Sequence, residues 1–251
     1  MSKIIGIIPA RYQSTRLEGK MLIEIAGKPM IQRVYEQAVK AKYLDKVIVA
    51  TDDERIKAFV ESFGGSVVMT SPHHPSGTDR VAEAAKNFDA DMVVNIQGDQ
   101  PFVDPNMIDE LAGTVVNKPE IYMGTLVKRI RKEDMRVPSV VKVVIDKKNY
   151  ALYFSRSLIP FPLNKQKLVV YEHIGLYIYK KEFLERIAQL PVGYLEMIES
   201  LEQLRVLENG YDIYVVETKC ENPHFSGFGV DTQSEIEKAE QMLAEMKGFI
   251  S

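Results

Sequence analysis

Three cationic side chains follow the first apolar segment of the chain and fall within ten positions of one another. Arg11, Arg16 and Lys20 come directly after residues 4–8, whose nearly uniform apolar character predicts a strand buried on both faces of a parallel sheet. Open α/β sheets bind ligands at the carboxyl ends of such strands. Three cations at that edge are suited to a polyphosphate, although a solvated basic turn has the same composition.

The loop that carries these cations has neither of the two glycine signatures of phosphate binding. A Walker A loop would place glycine where Ser14 stands, and the Gly-x-Gly-x-x-Gly pattern is absent from the sequence. Phosphate binding would therefore depend on side-chain cations and exposed backbone N–H groups. The missing glycine pattern also argues against a dinucleotide-dependent oxidoreductase.

Two aspartates that are far apart in the chain occupy similar local settings. Asp99 follows the apolar segment 91–97, and Asp231 follows Gly229-Val230 shortly before a helical segment. Mg²⁺ commonly takes a few carboxylates and completes its octahedron with phosphate oxygens and water. The two aspartates could therefore hold Mg²⁺ together, or each could simply form a turn or cap a helix.

Polar residues in two further segments are candidates for ligand contacts. Residues 76–79 open a helical segment, where hydroxyl and N–H groups either cap the helix or contact a base and ribose. Glu199, Glu202 and Gln203 fall on one face of a helix predicted over residues 195–207, a pattern that solvated faces also show. The sequence contains no Ser-His-Asp arrangement, paired Cys-x-x-Cys or His-Glu-x-x-His pattern.

Alternating strand and helix patterns would position these residues in the first half of the chain. Buried strands are predicted over residues 4–8, 46–51, 66–69 and 91–97. We expect the first strand to end at Pro9, because proline cannot donate to a strand ladder. Helical spacing is found over residues 29–41, 54–63 and 76–85, the last capped by Ser76. Four such units indicate an α/β protein with a Rossmann-like, mostly parallel sheet and helices on both faces.

The second half of the chain predicts more strands than helices. Strands are indicated over residues 122–128, 140–145, 150–155, 174–179 and 211–217, and helices over residues 181–189, 195–207 and 234–247. These elements suggest a smaller mixed or antiparallel extension that completes a pocket or contacts a second subunit. No Pro/Gly-rich linker divides the halves, so residues 1–251 are predicted to be one domain with halves at about 1–115 and 116–251.

Composition narrows the class of protein. The 251 residues are 45% hydrophobic and 27% charged, as in a globular protein with an ample core. A net charge of −3 gives no general attraction to nucleic acid or to anionic membranes. Cys220 is the single cysteine and cannot form an internal disulfide, and no secretory or membrane-spanning segment is evident. We therefore expect a cytoplasmic protein.

Taken together, these motifs resemble the 3-deoxy-manno-octulosonate cytidylyltransferase family, in order and spacing, from about residue 4 to the closing helix. The matching segments are Ile8-Pro-Ala-Arg-Tyr-Gln-Ser-Thr-Arg-Leu-Glu-Gly-Lys20, Gly27-Lys-Pro-Met-Ile-Gln32, Val49-Ala-Thr-Asp-Asp-Glu-Arg55, Phe63-Gly-Gly65, Val68-Met-Thr-Ser71, Pro75-Ser-Gly-Thr-Asp-Arg80, Asn95-Ile-Gln-Gly-Asp99, Ala151-Leu-Tyr-Phe-Ser-Arg-Ser157, His173-Ile-Gly175, Ser200-Leu-Glu-Gln-Leu-Arg205 and Gly229-Val-Asp-Thr232.

The resemblance implies a Rossmann-like nucleotidyltransferase, usually a homodimer, that couples CTP with the sugar acid Kdo (3-deoxy-manno-octulosonate). The products would be CMP-Kdo, for lipopolysaccharide assembly, and pyrophosphate. By motif match the catalytic residues would be Arg11, Lys20 and Asp99. The nucleotide would be bound by Pro9, Ala10, Arg11, Arg16, Lys20, Ser76, Gly77 and Asp79. The sugar would be bound by Gln97, Arg156, His173, Glu202 and Gln203, and Mg²⁺ by Asp99 and Asp231.

Four positions depart from the pattern usual in that family. Glu18 and Met21 stand where prolines are usual, which adds an acid to the phosphate loop and loosens its backbone. Gln100 replaces an acidic residue, and Glu172 replaces one that is often basic. The sugar therefore stays open between Kdo, a modified Kdo such as 8-amino-Kdo, whose amino group a carboxylate could meet, and another sugar acid such as sialate. A catalytically silent nucleotide-binding protein is a further alternative, which the joint presence of the cations and aspartates argues against.

Overall fold

The computed structural model describes residues 2–14 and 17–248, so Arg16 lies outside the described residues. Within these ranges the strands are β1 (Ile4–Ala10), β2 (Glu24–Ile25), β3 (Lys28–Pro29), β4 (Lys46–Thr51), β5 (Val67–Met69), β6 (Met92–Asn95), β7 (Met123–Arg129), β8 (Lys142–Ile145), β9 (Ala151–Ser155), β10 (Tyr171–Lys180) and β11 (Tyr214–Glu217). The α-helices are α1 (Met30–Ala38), α2 (Glu54–Ser62), α3 (Gly77–Ala85), α4 (Pro105–Val116), α5 (Lys181–Ile187), α6 (Tyr194–Glu199), α7 (Leu204–Glu208), α8 (Pro223–Ser226) and α9 (Gln233–Gly248).

Nine of the described strands form one sheet, whose main path is β11-β7-β10-β6-β1-β4-β5. β1 pairs in parallel with β4 and β6, and β4 pairs in parallel with β5. β10 runs antiparallel to its neighbours β6, β7 and β8, and β8 runs antiparallel to β9. The predicted mostly parallel sheet with a mixed extension is therefore confirmed. Strands from both halves of the chain contribute to this sheet.

One edge of β10 changes partner along its length. β6 pairs with β10 from Tyr177 onward, whereas β8 pairs with it at Tyr171 and Glu172. The ladder to β7 shifts register between Ile174 and Tyr177. The interval between the two pairings contains Gly175. This interval leaves room for a cavity at the carboxyl end of β6.

Helices cover the sheet on both faces, as predicted. α1, α2 and α4 pack on one face, and α3, α5 and α7 pack on the other. β1 contributes Ile4 and Ile8 to the first core and Ile5 and Ile7 to the second. Burial on both faces explains why β1 is apolar at successive positions instead of alternating with polar residues.

A third, smaller core seats the closing helix α9. Met30, Phe102, Val230 and Ile236 are buried together there. The backbone N–H of Val230 also donates to the carbonyl of Asp99 at 2.8 Å. These contacts bring a late segment of the chain to the loop that follows β6.

Two local predictions are wrong. β1 continues through Pro9 to Ala10, and because its pairing with β6 ends at Ile7, proline is tolerated where the ladder has a neighbour on one side only. The helix predicted over residues 195–207 is two helices, because Ser200 has a left-handed φ of 52° and ends α6. Glu202 and Gln203 lie after this break and do not share a helix face with Glu199.

The sequence reasoning also left α4 unassigned. Its start carries a familiar signal, since the Asp104 carboxylate accepts the backbone N–H of Asn106 and Pro105 is the first helical residue.

Among the described residues, no helix combines the length and the apolar character that a membrane span requires.

Candidate active site

A cavity of about 260 Å³ opens beyond the carboxyl end of β6, beside the partner change along β10. Its walls come from the start of α3, the end of β6, the middle of β10 and the segment between α6 and α7. The polar and aromatic lining includes Ser76, Thr78, Asn95, Gln97, Tyr177, Tyr179, Glu202 and Gln203. This is the crevice in which open α/β sheets bind ligands.

Lys20 brings the two sequence-predicted aspartates together. Its Nζ lies 3.0 Å from Oδ2 of Asp99 and 2.7 Å from Oδ1 of Asp231. Lys20 is buried, whereas the two carboxylates retain 30% and 29% of their side-chain exposure. Burial lowers the pKa of Lys20, but the two carboxylates outweigh it, so the pKa lies above its ordinary value. The ammonium is therefore charged and sits between two acids that are distant in sequence.

The two carboxylates provide a chemically suitable place for Mg²⁺. Asp99 and Asp231 converge on one cation, and Mg²⁺ prefers oxygen ligands of this kind. Within residues 2–14 and 17–248, no group of three or more His, Cys, Asp or Glu could hold a metal. A magnesium ion here would therefore need further oxygens from bound phosphate and from water, which is the ligand set it usually takes with nucleotides.

Gly98 lets the loop after β6 approach the end of β1. A Cβ atom at Gly98 would lie 2.8 Å from the Pro9 carbonyl oxygen and 3.0 Å from the Met21 sulfur. A backbone oxygen cannot move aside easily, so glycine is required at this close approach. Met21, where the family usually has proline, is buried against this contact. Asp99 is thereby held next to the loop that carries Lys20.

Tyr12 closes the described part of the cationic loop that runs from Arg11 to Lys20. The Gly19 N–H donates to the Tyr12 carbonyl at 2.9 Å, and Gly19 has a φ of +67° beneath the Tyr12 ring. Arg55 stacks on that ring, with its guanidinium carbon 3.3 Å from the ring centroid. Arg11 is exposed directly after β1. The closed loop therefore begins and ends near the two described cations, Arg11 and Lys20.

The predicted nucleotide contacts on α3 lie against the end of β1. Ser76 Oγ accepts the N–H of Asp79 at 3.2 Å and donates to its carboxylate at 2.6 Å, so the predicted N-cap is confirmed. A Cβ at Gly77 would be 3.6 Å from Pro9 Cγ, which places this turn next to β1. Ala10 is fully buried beside them. The structure thus brings together five of the residues predicted to bind the nucleotide, which are Pro9, Ala10, Ser76, Gly77 and Asp79.

Three of the predicted sugar-binding residues line the cavity. They are Gln97, Glu202 and Gln203. Thr78 belongs to the 76–79 segment predicted to cap a helix or to contact base and ribose, and its hydroxyl donates to Glu202 at 2.8 Å. No local sequence pattern indicates this contact, because the two residues are 124 positions apart.

Two buried polar atoms in the cavity wall lack protein partners. Asn95 Oδ1 and Gln203 Nε2 have no hydrogen-bond partner among the described residues. Both residues belong to the cavity lining, and buried polar groups of this kind are normally satisfied. Gln203 is 6% exposed and Asn95 is 1% exposed, so bulk water does not solvate them freely.

Arg156, which was predicted to bind the sugar, lies behind the segment that carries Glu202 and Gln203 and is not part of the cavity lining. Its guanidinium donates to the carbonyls of Glu199 at 2.7 Å, Ser200 at 3.2 Å and Pro138 at 3.1 Å. Its backbone N–H donates to the Glu199 carboxylate at 2.9 Å. A cation bonded to the last carbonyls of a helix stabilises that helix end. In this structure Arg156 fixes the end of α6.

His173 supports the cavity wall from beneath. Its ring packs against Phe154 and Tyr177, with centroids 5.1 and 5.3 Å away. Its Nε2 is 3.0 Å from the Thr125 hydroxyl, which donates to the Leu176 carbonyl at 2.9 Å. The hydroxyl oxygen therefore accepts from His173, whose Nε2 carries the proton. His173 keeps a small solvent-exposed part, but protein atoms surround its ring closely. This burial of the ring lowers the pKa of His173 to about 3.

Glu172 and Gln100, two of the four positions that depart from the family pattern, have different surroundings. Glu172 forms an ion pair with Lys128 at 3.1 Å, and both side chains are largely buried. Burial raises the pKa of Glu172, and Lys128 opposes that shift. Gln100 is also buried, and its Nε2 would lie 3.8 Å from a Cβ placed on Gly175. Gln100 therefore adjoins the cavity wall, whereas Glu172 already faces a cation.

A mostly parallel sheet with a cationic loop, converging carboxylates and a polar cavity at one edge defines a nucleotidyltransferase of Rossmann-like fold. A profile of the cytidylyltransferase family matches residues 5–213. A 3-deoxy-manno-octulosonate cytidylyltransferase of Geotalea daltonii is 51% identical over 97% of this chain and 99% of its own length. An 8-amino-3,8-dideoxy-manno-octulosonate cytidylyltransferase of a Shewanella species is 49% identical over 96% of this chain and 98% of its own.

The similarity extends to a solved structure. The structure of a CMP:2-keto-3-deoxy-manno-octonic acid synthetase in complex with CTP matches with a TM-score of 0.91 at 42% identity, covering 98% of this chain and 100% of that chain. The chain belongs to the cytidylyltransferase family, among its 3-deoxy-manno-octulosonate cytidylyltransferases.

Proposed function

We propose that this protein transfers the cytidylyl group of CTP to the anomeric hydroxyl of Kdo, giving CMP-Kdo and pyrophosphate. The observation that carries the proposal is the convergence of Lys20, Asp99 and Asp231 beside a cavity with unpaired polar groups. The substrate pair is supported by relatives named for Kdo that are up to 51% identical, and by the similar synthetase that was solved with CTP.

In this reaction the anomeric oxygen forms a bond to the α-phosphorus, and the bond from that phosphorus to the departing pyrophosphate breaks. The chain needs no covalent nucleophile, because phosphoryl-type transfer depends on positioning and charge neutralisation. Arg11 and Lys20 lie where they can neutralise the triphosphate and the growing charge on pyrophosphate. When bound by Asp99 and Asp231, Mg²⁺ would supply Lewis-acid stabilisation of charge on the phosphate oxygens. The attacking hydroxyl releases its proton to solvent water, without a dedicated protein base.

Kdo is the sugar that the surroundings of Glu172 favour over an amino-modified Kdo. The Glu172 carboxylate is paired with Lys128 at 3.1 Å, so an incoming ammonium group would have to compete with a buried cation. Relatives named for Kdo and for 8-amino-Kdo match at 51% and 49% identity, which does not favour the amino sugar.

We also propose that the protein acts as a homodimer through an exposed apolar surface around β9 and α6. The surface is formed by Leu152, Phe161, Leu163, Tyr194, Met197 and Ile198, each more than 60% exposed. Large apolar side chains that remain exposed are candidates for a subunit contact. Sedimentation analysis of the protein and of the Leu163→Glu variant tests the proposal, since a monomeric parent protein would refute it.

The cellular setting follows from the same proposal. We place the reaction in the cytoplasm, where CTP is available, and assign its product to lipopolysaccharide assembly. The single cysteine, Cys220, is compatible with a reducing compartment.

Pyrophosphate release from CTP tests the proposed reaction directly. The assay compares Kdo, 8-amino-Kdo and sialate, each with Mg²⁺ and with EDTA. Release that requires Kdo and Mg²⁺ supports the proposal. Release with 8-amino-Kdo or sialate alone would keep the chemistry and change the sugar, and no release with any sugar would refute the enzymatic function.

A further inference from the structure

A side-chain hydrogen bond joins the two walls of the cavity. Thr78 lies in the first turn of α3, and Glu202 lies in the segment between α6 and α7. Thr78 Oγ1 donates to Glu202 Oε2 at 2.8 Å. The bond therefore connects the wall that carries Ser76 and Asp79, assigned to the nucleotide, with the wall that carries Gln203, assigned to the sugar.

The nucleotide wall has a fixed position relative to the sheet. Ser76 caps α3 through Asp79, and Gly77 lies against Pro9 at the end of β1. One turn further, the buried Arg80 donates to the Thr70 hydroxyl at 2.6 Å. Thr78 is part of this turn and already bonds to Glu202, so a ligand bound to the turn would further restrain the hydroxyl in the position that this bond requires.

The sugar wall is anchored from behind. Arg156 donates to the carbonyls of Glu199 and Ser200, and Ser200 takes a left-handed conformation that ends α6. Arg205 forms two hydrogen bonds with the buried Glu196 carboxylate at 2.6 and 2.7 Å. These contacts fix the backbone on both sides of Glu202, whereas the Glu202 side chain is exposed to the cavity.

The Thr78 hydroxyl acts on the charge of Glu202 as well as on its orientation. Although Glu202 keeps solvent exposure, protein atoms crowd its carboxylate, and this desolvation raises its pKa. The hydrogen bond from Thr78 lowers the pKa, and nearby Asp79 raises it. A donor that bonds to a carboxylate favours its ionised form. Thr78 therefore orients a carboxylate oxygen of Glu202 in the cavity wall and opposes the upward shift of its pKa.

We propose that Thr78 is a positioning residue that couples the two subsites: nucleotide bound on the Ser76–Asp79 turn holds Thr78, and Thr78 holds Glu202 ready for the sugar. This inference rests on the proposed function, because it assumes that CTP and Kdo occupy these two walls. Binding couplings are reciprocal, so the sugar strengthens nucleotide binding by the same factor. Couplings of this type are commonly about 5- to 150-fold.

Calorimetry with an unreactive nucleotide measures this coupling without turnover. The probe is α,β-methylene-CTP with Mg²⁺, whose bridging carbon prevents release of pyrophosphate. Kdo affinity is measured with and without the probe for the unmodified protein, Thr78→Val and Thr78→Ser. Thr114→Val is the matched control, because it removes a partly buried hydroxyl that bonds only within α4, to the Glu110 carbonyl at 2.7 Å.

We expect the probe to strengthen Kdo binding by about tenfold in the unmodified protein, Thr78→Ser and Thr114→Val. In Thr78→Val the factor falls to about one. Binding of the probe alone is measured for each variant, so that a direct loss of nucleotide affinity is separated from a loss of coupling. Thermal unfolding shows whether each variant is folded. If Thr78→Val does not fold, Thr78→Ser still tests the inference, because it keeps the hydroxyl. Loss of coupling in folded Thr78→Ser would refute the inference.

Two results would overturn the inference while leaving the proposed function intact. One is a protein that releases pyrophosphate from CTP and Kdo but shows no coupling between the two ligands. The other is an unchanged coupling factor in folded Thr78→Val. Absence of pyrophosphate release from the unmodified protein refutes the proposed function instead, so the two failures are distinguishable.

Discussion

The Nζ atom of Lys20 lies 2.7 Å from the Asp231 carboxylate, and the same ammonium lies 3.0 Å from Asp99. A positive charge therefore already occupies the point that a divalent cation bound by both aspartates would share. The oxygens of a bound triphosphate would offer Lys20 alternative anionic partners. We therefore expect nucleotide and metal to bind more readily together than the metal does alone.

Replacement of Lys20 by methionine tests this competition. Removal of the ammonium leaves two neighbouring carboxylates without it, so Mn²⁺ should bind at least about fivefold more tightly in the absence of nucleotide. Electron paramagnetic resonance of free Mn²⁺ measures the affinity. Lys28→Met is the control, because Lys28 pairs with Glu36 on the surface. Equal or weaker Mn²⁺ binding in Lys20→Met would show that Lys20 does not compete.

Asp99→Asn should reduce pyrophosphate release by about 100-fold or more. The substitution removes a charged oxygen ligand from the proposed Mg²⁺ site while it preserves the shape of the side chain. A steady-state pyrophosphate assay at saturating CTP and Kdo provides the measurement. Asp104→Asn is the matched control, because asparagine caps a helix about as well as the aspartate that caps α4. Near-full activity of Asp99→Asn would contradict the metal-centred mechanism.

Gly98→Ala should lower both stability and activity. Its Cβ would lie 2.8 Å from the Pro9 carbonyl oxygen, so the loop after β6 must move away from β1 and take Asp99 with it. Overpacking of this kind costs about 1–3 kcal/mol of unfolding free energy, which urea denaturation measures. Gly229→Ala is the control, since no atom lies within 4 Å of its Cβ position. Equal stability of the two variants would show that the close approach is not tight.

His173 should make the protein less stable as the pH falls. Burial lowers the pKa of His173 to about 3, below the value near 6.5 expected in the unfolded chain. Between these pH values the unfolded state binds one more proton, so the unfolding free energy decreases by up to about 1.4 kcal/mol per pH unit lost. Above the unfolded pKa the neutral ring is present in both states and this contribution is constant.

Urea denaturation between pH 7 and pH 5 measures the effect. His173→Gln should flatten the pH dependence of the unfolding free energy even though the variant loses packing against Phe154. Exposed His73→Gln is the control and should retain the slope. An unchanged slope in His173→Gln would assign the acid sensitivity to other groups.

Much of the local structure could be predicted from the sequence. The strand over Lys46–Thr51 was predicted with its observed bounds, because an uninterrupted apolar run requires burial on both faces of a parallel sheet. The Ser76 cap was predicted because a hydroxyl three residues before an N–H can satisfy a free helix donor. Neighbours along the chain are sufficient to produce these signals. The cationic loop, the two aspartates and the 76–79 segment were candidates from their own sequence patterns, and the family resemblance supplied their individual roles and the sugar-binding residues.

The break between α6 and α7 could not be read from the local pattern. Ser200 is neither glycine nor proline, and the apolar spacing continues across it. Its left-handed φ of 52° is held by Arg156, which follows β9 directly and donates to the Ser200 carbonyl. A partner distant in sequence therefore decided the conformation that moves Glu202 off the helix face.

By itself the sequence determined the alternation of strands and helices, the cationic loop after β1 and the family to which the chain belongs. Only the tertiary structure decided that Asp231 meets Asp99 around Lys20, through the small core that seats α9, and that Thr78 meets Glu202 across the cavity. The physical reason is that hydrophobic periodicity and capping depend on residues a few positions apart. Distances between remote side chains depend on how complete buried surfaces pack, and no short segment contains that information.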